Sequence, residues 1–123
     1  MIRHIDHIVL TVRDVERAVA FYTGVLGMEA VTFAGGRRAL RFGKQKINLQ
    51  TLGQETRNFA GIGSGDLCLI VDWSLDQVVQ HLEEKGVEIV EGPVAKSGAT
   101  GPIQSVYVND PDGNLVELST YDV

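Results

Sequence analysis

Asp110-Pro111-Asp112-Gly113-Asn114-Leu115-Val116-Glu117-Leu118 joins a tight turn to a strand that carries one acid among apolar neighbours. Proline presets φ for such a turn, Asp side chains bond the nearby backbone, and glycine accepts positive φ. From Asn114 to Thr120 the residues alternate. Leu115, Glu117 and Ser119 therefore share one face of a strand, and Val116, Leu118 and Thr120 share the other. Glu117 is either the end of a solvated edge strand or a functional acid inside a cavity, because isolated acids are rarely buried without a partner. The choice turns on what the rest of the chain brings to it.

Working outward, Ile103 to Asn109 and Val87 to Glu91 read as two further strands, and Gly92 to Gly101 between them reads as a mobile flap. In that flap, Lys96 and Ser97 face either an anionic group or solvent. Upstream, Ser74 and Gln77 form a capping box for a helix whose Leu75, Val78, Val79 and Leu82 recur at helical spacing before Gly86. Asp66 to Val71 is an apolar strand ahead of that helix, and Leu52 to Gly65, glycine-rich and aperiodic, is a connector. The first half repeats the plan. Ile5 to Val12 is a strand with His7, Val9 and Thr11 on one face. Asp14 caps a helix carrying Val15, Ala18, Val19, Tyr22 and Leu26 and ending near Gly27. Glu29 to Phe33, Arg37 to Phe42 and Lys46 to Thr51 are short strands joined at Gly35-Gly36 and Gly43-Lys44, and Lys46, Asn48 and Gln50 share a face of the last. The order β-α-β-β-β thus occurs twice. An offset of 60 sets His7 on Leu67 and Ala18-Val19 on Val78-Val79.

At 123 residues the chain fits one domain with a real core. Eleven Lys and Arg against 16 Asp and Glu leave a net charge of −5, which argues against nucleic acid and anionic membranes as partners. The lone Cys68 excludes an internal disulfide, fits a reducing cytosol and, inside the run Leu67 to Val71, reads as a buried, inert thiol. Ile5 to Val12 is too short to span a bilayer, and Arg3, His4 and Asp6 do not fit a signal peptide. The expected location is cytoplasmic.

If the two copies pair, equivalent positions converge about a pseudo-twofold axis. The first strands then offer His7 and Leu67, and the last strands offer Gln50 and Glu117. His7, Gln50 and Glu117 supply a nitrogen, a neutral oxygen and an anionic oxygen, which suit a divalent metal with open positions. The residues alone equally allow a core histidine bonded to backbone, with Gln50 and Glu117 facing solvent. Ser105, His81 and Asp76 lack the spacing of a hydrolase triad, and Gly98 to Pro102 lacks the lysine of a phosphate loop. Trp73 and Phe59 are ordinary core and loop aromatics or the border of a cavity.

Asp6-His7-Ile8, Val19-Ala20-Phe21-Tyr22 with Leu26-Gly27-Met28, and Asp110 to Glu117 together resemble the vicinal oxygen chelate superfamily, also called the glyoxalase, bleomycin-resistance and extradiol dioxygenase superfamily. The resemblance covers nearly the whole chain and points to small lactoylglutathione lyase-like members. It implies an α+β fold in which two paired βαβββ modules, about residues 4–51 and 66–121 of one domain spanning 1–123, form a cupped mixed sheet around a divalent metal such as Zn, Ni, Mn, Co or Fe. It implies His7 as the first metal ligand, Gln50 as the second and Glu117 as the last, with Glu117 also the catalytic base, and it sets Leu67 at the remaining position. The expected activity is proton transfer beside a metal-bound carbonyl or enediolate oxygen of a small-molecule substrate, by a glyoxalase-type lyase or isomerase. The alternatives are a metal-free drug- or metabolite-sequestering protein and an extradiol-type dioxygenase. A homodimer is expected, since cupped sheets leave edges that a second copy covers.

Overall fold

The structure, a computed structural model, describes residues 1–122. The chain divides into two compact units, one made of Met1–Gly65 with Asp110–Gly113, the other of Asp66–Asn109 with the chain from Asn114 onward.

Unit one runs β1 (His7–Val12), α1 (Val15–Gly24), β2 (Glu29–Phe33), a short 3-10 turn, β3 (Arg37–Phe42) and β4 (Gln45–Thr51). The Asp14 side chain accepts the Arg17 backbone N–H at 3.1 Å and so satisfies one of the helix's free amides. Ala18, Val19 and Tyr22, spaced as expected, are the buried stripe of α1. The strands lie in the order β1-β4-β3-β2, and β1 and β4 are parallel, with His7 opposite Lys46, Val9 opposite Asn48 and Thr11 opposite Gln50. Leu10, Val12, Leu40, Ile47 and Leu49 alternate onto the other face and form the core with the helix. Each such side chain contributes roughly 1.5–3 kcal/mol when fully buried.

The Asp110 to Gly113 turn is built into unit one. Asp110 accepts the Tyr22 hydroxyl at 2.7 Å and the Asp112 backbone N–H at 2.8 Å. Asp112 accepts the Arg13 backbone N–H at 2.9 Å, and both carboxylates are buried. Gly63, at φ +76, packs so close to the Asp112 carbonyl that a side chain there would collide with it.

Unit two runs β5 (Asp66–Ile70), α2 (Leu75–Glu84), β6 (Glu91–Gly98), β7 (Gly101–Asn109) and β8 (Leu115–Thr120), with strand order β5-β8-β7-β6. The capping box of α2 is complete in both directions. Val78 and Leu82 of the helix are buried, as are Val106, Val108, Val116 and Leu118 of the sheet. Two expectations fail here. Val87 to Val90 is not a strand, and Gly92 to Gly98 is not a flap but most of β6. The ladder with β7 is interrupted between Glu91 and Val94, where Gly92 adopts φ +105 against the Ser105 carbonyl, and it continues from Val94 to Gly98. The pairing partner, not the local alternation, decides where this strand lies.

No helix among the described residues is long and apolar enough to cross a membrane.

Candidate functional site

In unit two, β7 and β8 pair antiparallel with Tyr107 opposite Glu117 and Ser105 opposite Ser119, so all four side chains stand on the face away from α2. Two buried hydroxyls converge on one oxygen of Glu117. Ser105 donates to Oε2 at 2.6 Å, and Ser119 lies 3.3 Å from the same atom. Ser105 and Ser119 are 2.7 Å apart, and the Cys68 sulfur is 3.2 Å from Ser119. Ser105, Ser119 and the Cys68 thiol thus form one hydrogen-bonded cluster beside the carboxylate. Glu117 is therefore neither a solvated edge residue nor an orphaned acid.

The same face opens into a cleft of about 560 Å³ lined by Asp66, Val90, Glu91, Lys96, Tyr107, Leu115 and Glu117. Burial, and next the neighbouring Glu117 carboxylate, push the Tyr107 phenol up to about 12, so it stays protonated at neutral pH. Cys68 is exposed on this face rather than buried, because Leu67 and Leu69 take the inward positions of β5. Its apolar surroundings nonetheless push the thiol above its ordinary range, opposed by the Ser119 bond.

Leu67 does not share a face with Glu117. Cys68 is the parallel partner of Glu117, so the β5 residues on the site face are Asp66, Cys68 and Ile70. The helix caps Asp14 and Ser74 are 60 residues apart, but the parallel pairs begin at His7 and at Asp66, 59 apart. One extra residue between strand and cap in unit two shifts the sequence offset onto the wrong face. The counterpart of His7 is Asp66, a carboxylate that lines the cleft.

In unit one, His7 Nδ1 lies 2.8 Å from Asp6, which fixes the ring, and hydrogen bonding to the ring holds the Asp6 carboxyl below its ordinary range. Gln50 donates its amide to Thr11 at 2.9 Å. Gln50 stands opposite Thr11 and His7 opposite Lys46, a separation of about 13 Å along the pair at ~3.3 Å per residue. Between them on the same face is Asn48, 5% exposed, whose Oδ1 has no hydrogen-bond partner among the described residues. Asn48 is opposite Val9, two residues beyond His7, as Glu117 is opposite Cys68, two beyond Asp66. By register Asn48, not Gln50, is the counterpart of Glu117. An orphaned buried acceptor is costly unless a donor or cation satisfies it, so this carboxamide fits a metal's donor set. No group of three or more His, Cys, Asp or Glu side chains is gathered for a metal among the described residues.

Three contributors escape a reading of the sequence. Asn48 was visible only as one of three polar residues on a face, and Ser105 and Tyr107 meet Glu117 through cross-strand register, which no spacing in the sequence encodes. Ser105, His81 and Asp76 form no triad: Ser105 serves Glu117, and His81 packs edge-on against Trp73.

The model of the glyoxalase/bleomycin resistance protein/dioxygenase superfamily matches residues 4–118. A glyoxalase domain-containing protein of Mycosarcoma maydis is 49% identical over 98% of this chain and 69% of its own. The crystal structure of a virulence protein of Salmonella typhimurium superposes with a TM-score of 0.93 at 49% identity, covering 98% of each chain. An integron cassette protein of Vibrio cholerae gives 0.94 at 52% identity over 99% of this chain and 98% of that one. More distant relatives include a methylmalonyl-CoA epimerase of Bos taurus, 32% identical over 93% of this chain and 72% of its own. A lactoylglutathione lyase of Arabidopsis thaliana is 28% identical over 94% and 44%.

Proposed function

The chain belongs to the glyoxalase/bleomycin resistance protein/dioxygenase superfamily, and from that premise we propose that it is a divalent-metal-dependent lyase or isomerase of the glyoxalase type. Glu117 is its base, removing a proton from a carbon next to a carbonyl and returning it to the neighbouring carbon. The observation that carries this reading is the carboxylate itself, which lines an open cleft while two buried serines bond its Oε2. A base held in this way loses little freedom at the moment of transfer. The protonated Tyr107 phenol beside it is a donor suited to an oxygen that gains charge.

The proposed metal donors are His7 and Glu117 with an amide oxygen, supplied within one chain or across the homodimer proposed below. The register and the orphaned Oδ1 favour Asn48 for that amide over Gln50. When bound, the ion would supply Lewis-acid polarisation of the substrate carbonyl. Asp66 in place of Leu67 removes the argument that a ligand position is filled by an apolar side chain, and with it the main support for a metal-free sequestering protein. Epimerase and lyase names among the distant relatives support proton transfer beside a carbonyl. The exposed apolar Ile5, Ile8 and Val9, the last two on the edge strand β1, support a homodimer; light scattering giving a mass near the 13.4 kDa monomer would refute it.

The test is solvent exchange. Metal-loaded protein is incubated with candidate α-hydroxy carbonyl and 2-oxo thiohemiacetal compounds in D₂O beside Glu117→Gln. Exchange of the α-proton by the wild type alone supports the reading. Equal exchange by both, with a ligand still bound in the absence of metal, replaces it with sequestration.

A further inference from the structure

On the site face of unit one, Phe33 carries two cations. Lys46 Nζ lies 4.0 Å from the ring centroid and the Arg37 guanidinium carbon 4.8 Å from it. The neighbouring arginines are spent on carboxylates, Arg38 on Glu16 at 3.0 Å and Arg41 on Glu29 at 2.9 Å. Arg37 and Lys46 have no carboxylate within ion-pair distance among the described residues. Phe33 on β2 and Lys46 on β4 are separated by β3, where Ala39, paired with both Val31 and Asn48, is small enough to let them meet. Two like charges are thus drawn to one ring, beside His7, the parallel partner of Lys46.

We propose that Arg37, Phe33 and Lys46 form a binding site for an oxyanion, a carboxylate or phosphoryl group carried by the substrate. The ring attracts both cations, and an anion that joins them relieves their mutual repulsion, which Asp6, beyond ion-pair distance of Lys46, offsets only in part. Arg37 presents a fork of donors and Lys46 a compact charge, a pair that suits an oxygen-rich group. The surrounding charge agrees. Unit one holds nine Lys and Arg against seven Asp and Glu, and unit two holds two against nine. The identification of the anion's bearer as substrate rests on the function proposed above; the binding itself does not.

The experiment titrates metal-free protein with inorganic phosphate and with malonate at low ionic strength, following backbone amide shifts of β2 to β4 by NMR. Wild type is expected to bind at least one of the two. Arg37→Gln and Lys46→Gln should each weaken that binding about tenfold, with unchanged melting temperatures, and the already paired Arg41→Gln should not. Preference for phosphate or malonate tells phosphoryl from carboxylate recognition. No measurable binding to wild type, loss in only one of the two variants, or equal loss in Arg41→Gln overturns the site. Because no metal, substrate or turnover is involved, failure of the exchange reaction leaves this result readable, and the reverse also holds.

Discussion

The two units are the same βαβββ plan with opposite chemistry on their open faces. In unit one the buried Asn48 has an acceptor without a hydrogen-bond partner among the described residues, and the two cations on Phe33 have no carboxylate within ion-pair distance among them. In unit two the corresponding Glu117 is bonded by two serines within an acidic cleft. The sheets are alike because strand order and parallel pairing follow from apolar alternation, which both halves keep. The faces differ because side chains pointing away from the core carry no packing constraint. Duplication preserves the scaffold and leaves the chemistry free to diverge.

The largest expected effect is on the element that breaks the symmetry, the turn between β7 and β8 that is built into unit one. Asp110→Ala strands the buried Tyr22 hydroxyl and the Asp112 amide, and should lower the unfolding free energy by about 3 kcal/mol. Denaturant melts check it. The double variant with Tyr22→Phe should cost less than the two single variants combined, since both remove one interaction.

The counterpart relation between Asn48 and Glu117 is tested by metal affinity. Asn48→Ala and Glu117→Ala are each expected to weaken binding of Zn²⁺, Ni²⁺ or Mn²⁺ more than tenfold, and Gln50→Ala less than either. Calorimetry that ranks Gln50→Ala with Glu117→Ala would restore Gln50 as the ligand and break the register argument.

Smaller effects probe what the units share. Asp14 and Ser74 cap equivalent helices, and replacing either by Ala should cost about 1 kcal/mol. Ser74 should cost slightly more, because its box also uses Gln77.

The smallest effect shows only at alkaline pH. Both units contain a tyrosine raised above its ordinary value: Tyr22 by burial and then Asp110, Tyr107 by burial and then Glu117, to about 12. The folded protein holds these phenols neutral more strongly than the unfolded chain does. Their contribution is complete below the unfolded value of about 10 and is lost as pH rises from there, towards 12 for Tyr107 and still higher for Tyr22. Tyr121, lowered by hydrogen bonds from Thr100, should ionise first. An ultraviolet titration should therefore show one early step absent in Tyr121→Phe and one near 12 absent in Tyr107→Phe. Ionisation of Tyr22 should accompany unfolding. A single step at the ordinary tyrosine value would refute all three environments.

The sequence by itself determined the duplicated plan, both helices with their caps, strands β2 and β3 to the residue, and the face on which Glu117 stands. Each of these rests on interactions between residues close in the chain: side-chain periodicity, turn chemistry and the needs of free helix amides. Only the tertiary structure decided that β6 begins at Glu91, that Asp66 rather than Leu67 shares the face of Glu117, and that Asn48 is that residue's counterpart. It also brought Ser105 to Glu117 and gave the Asp110 turn to unit one. Those facts depend on register between strands distant in sequence. A slip of one residue there moves every side chain to the other face while leaving local patterns unchanged.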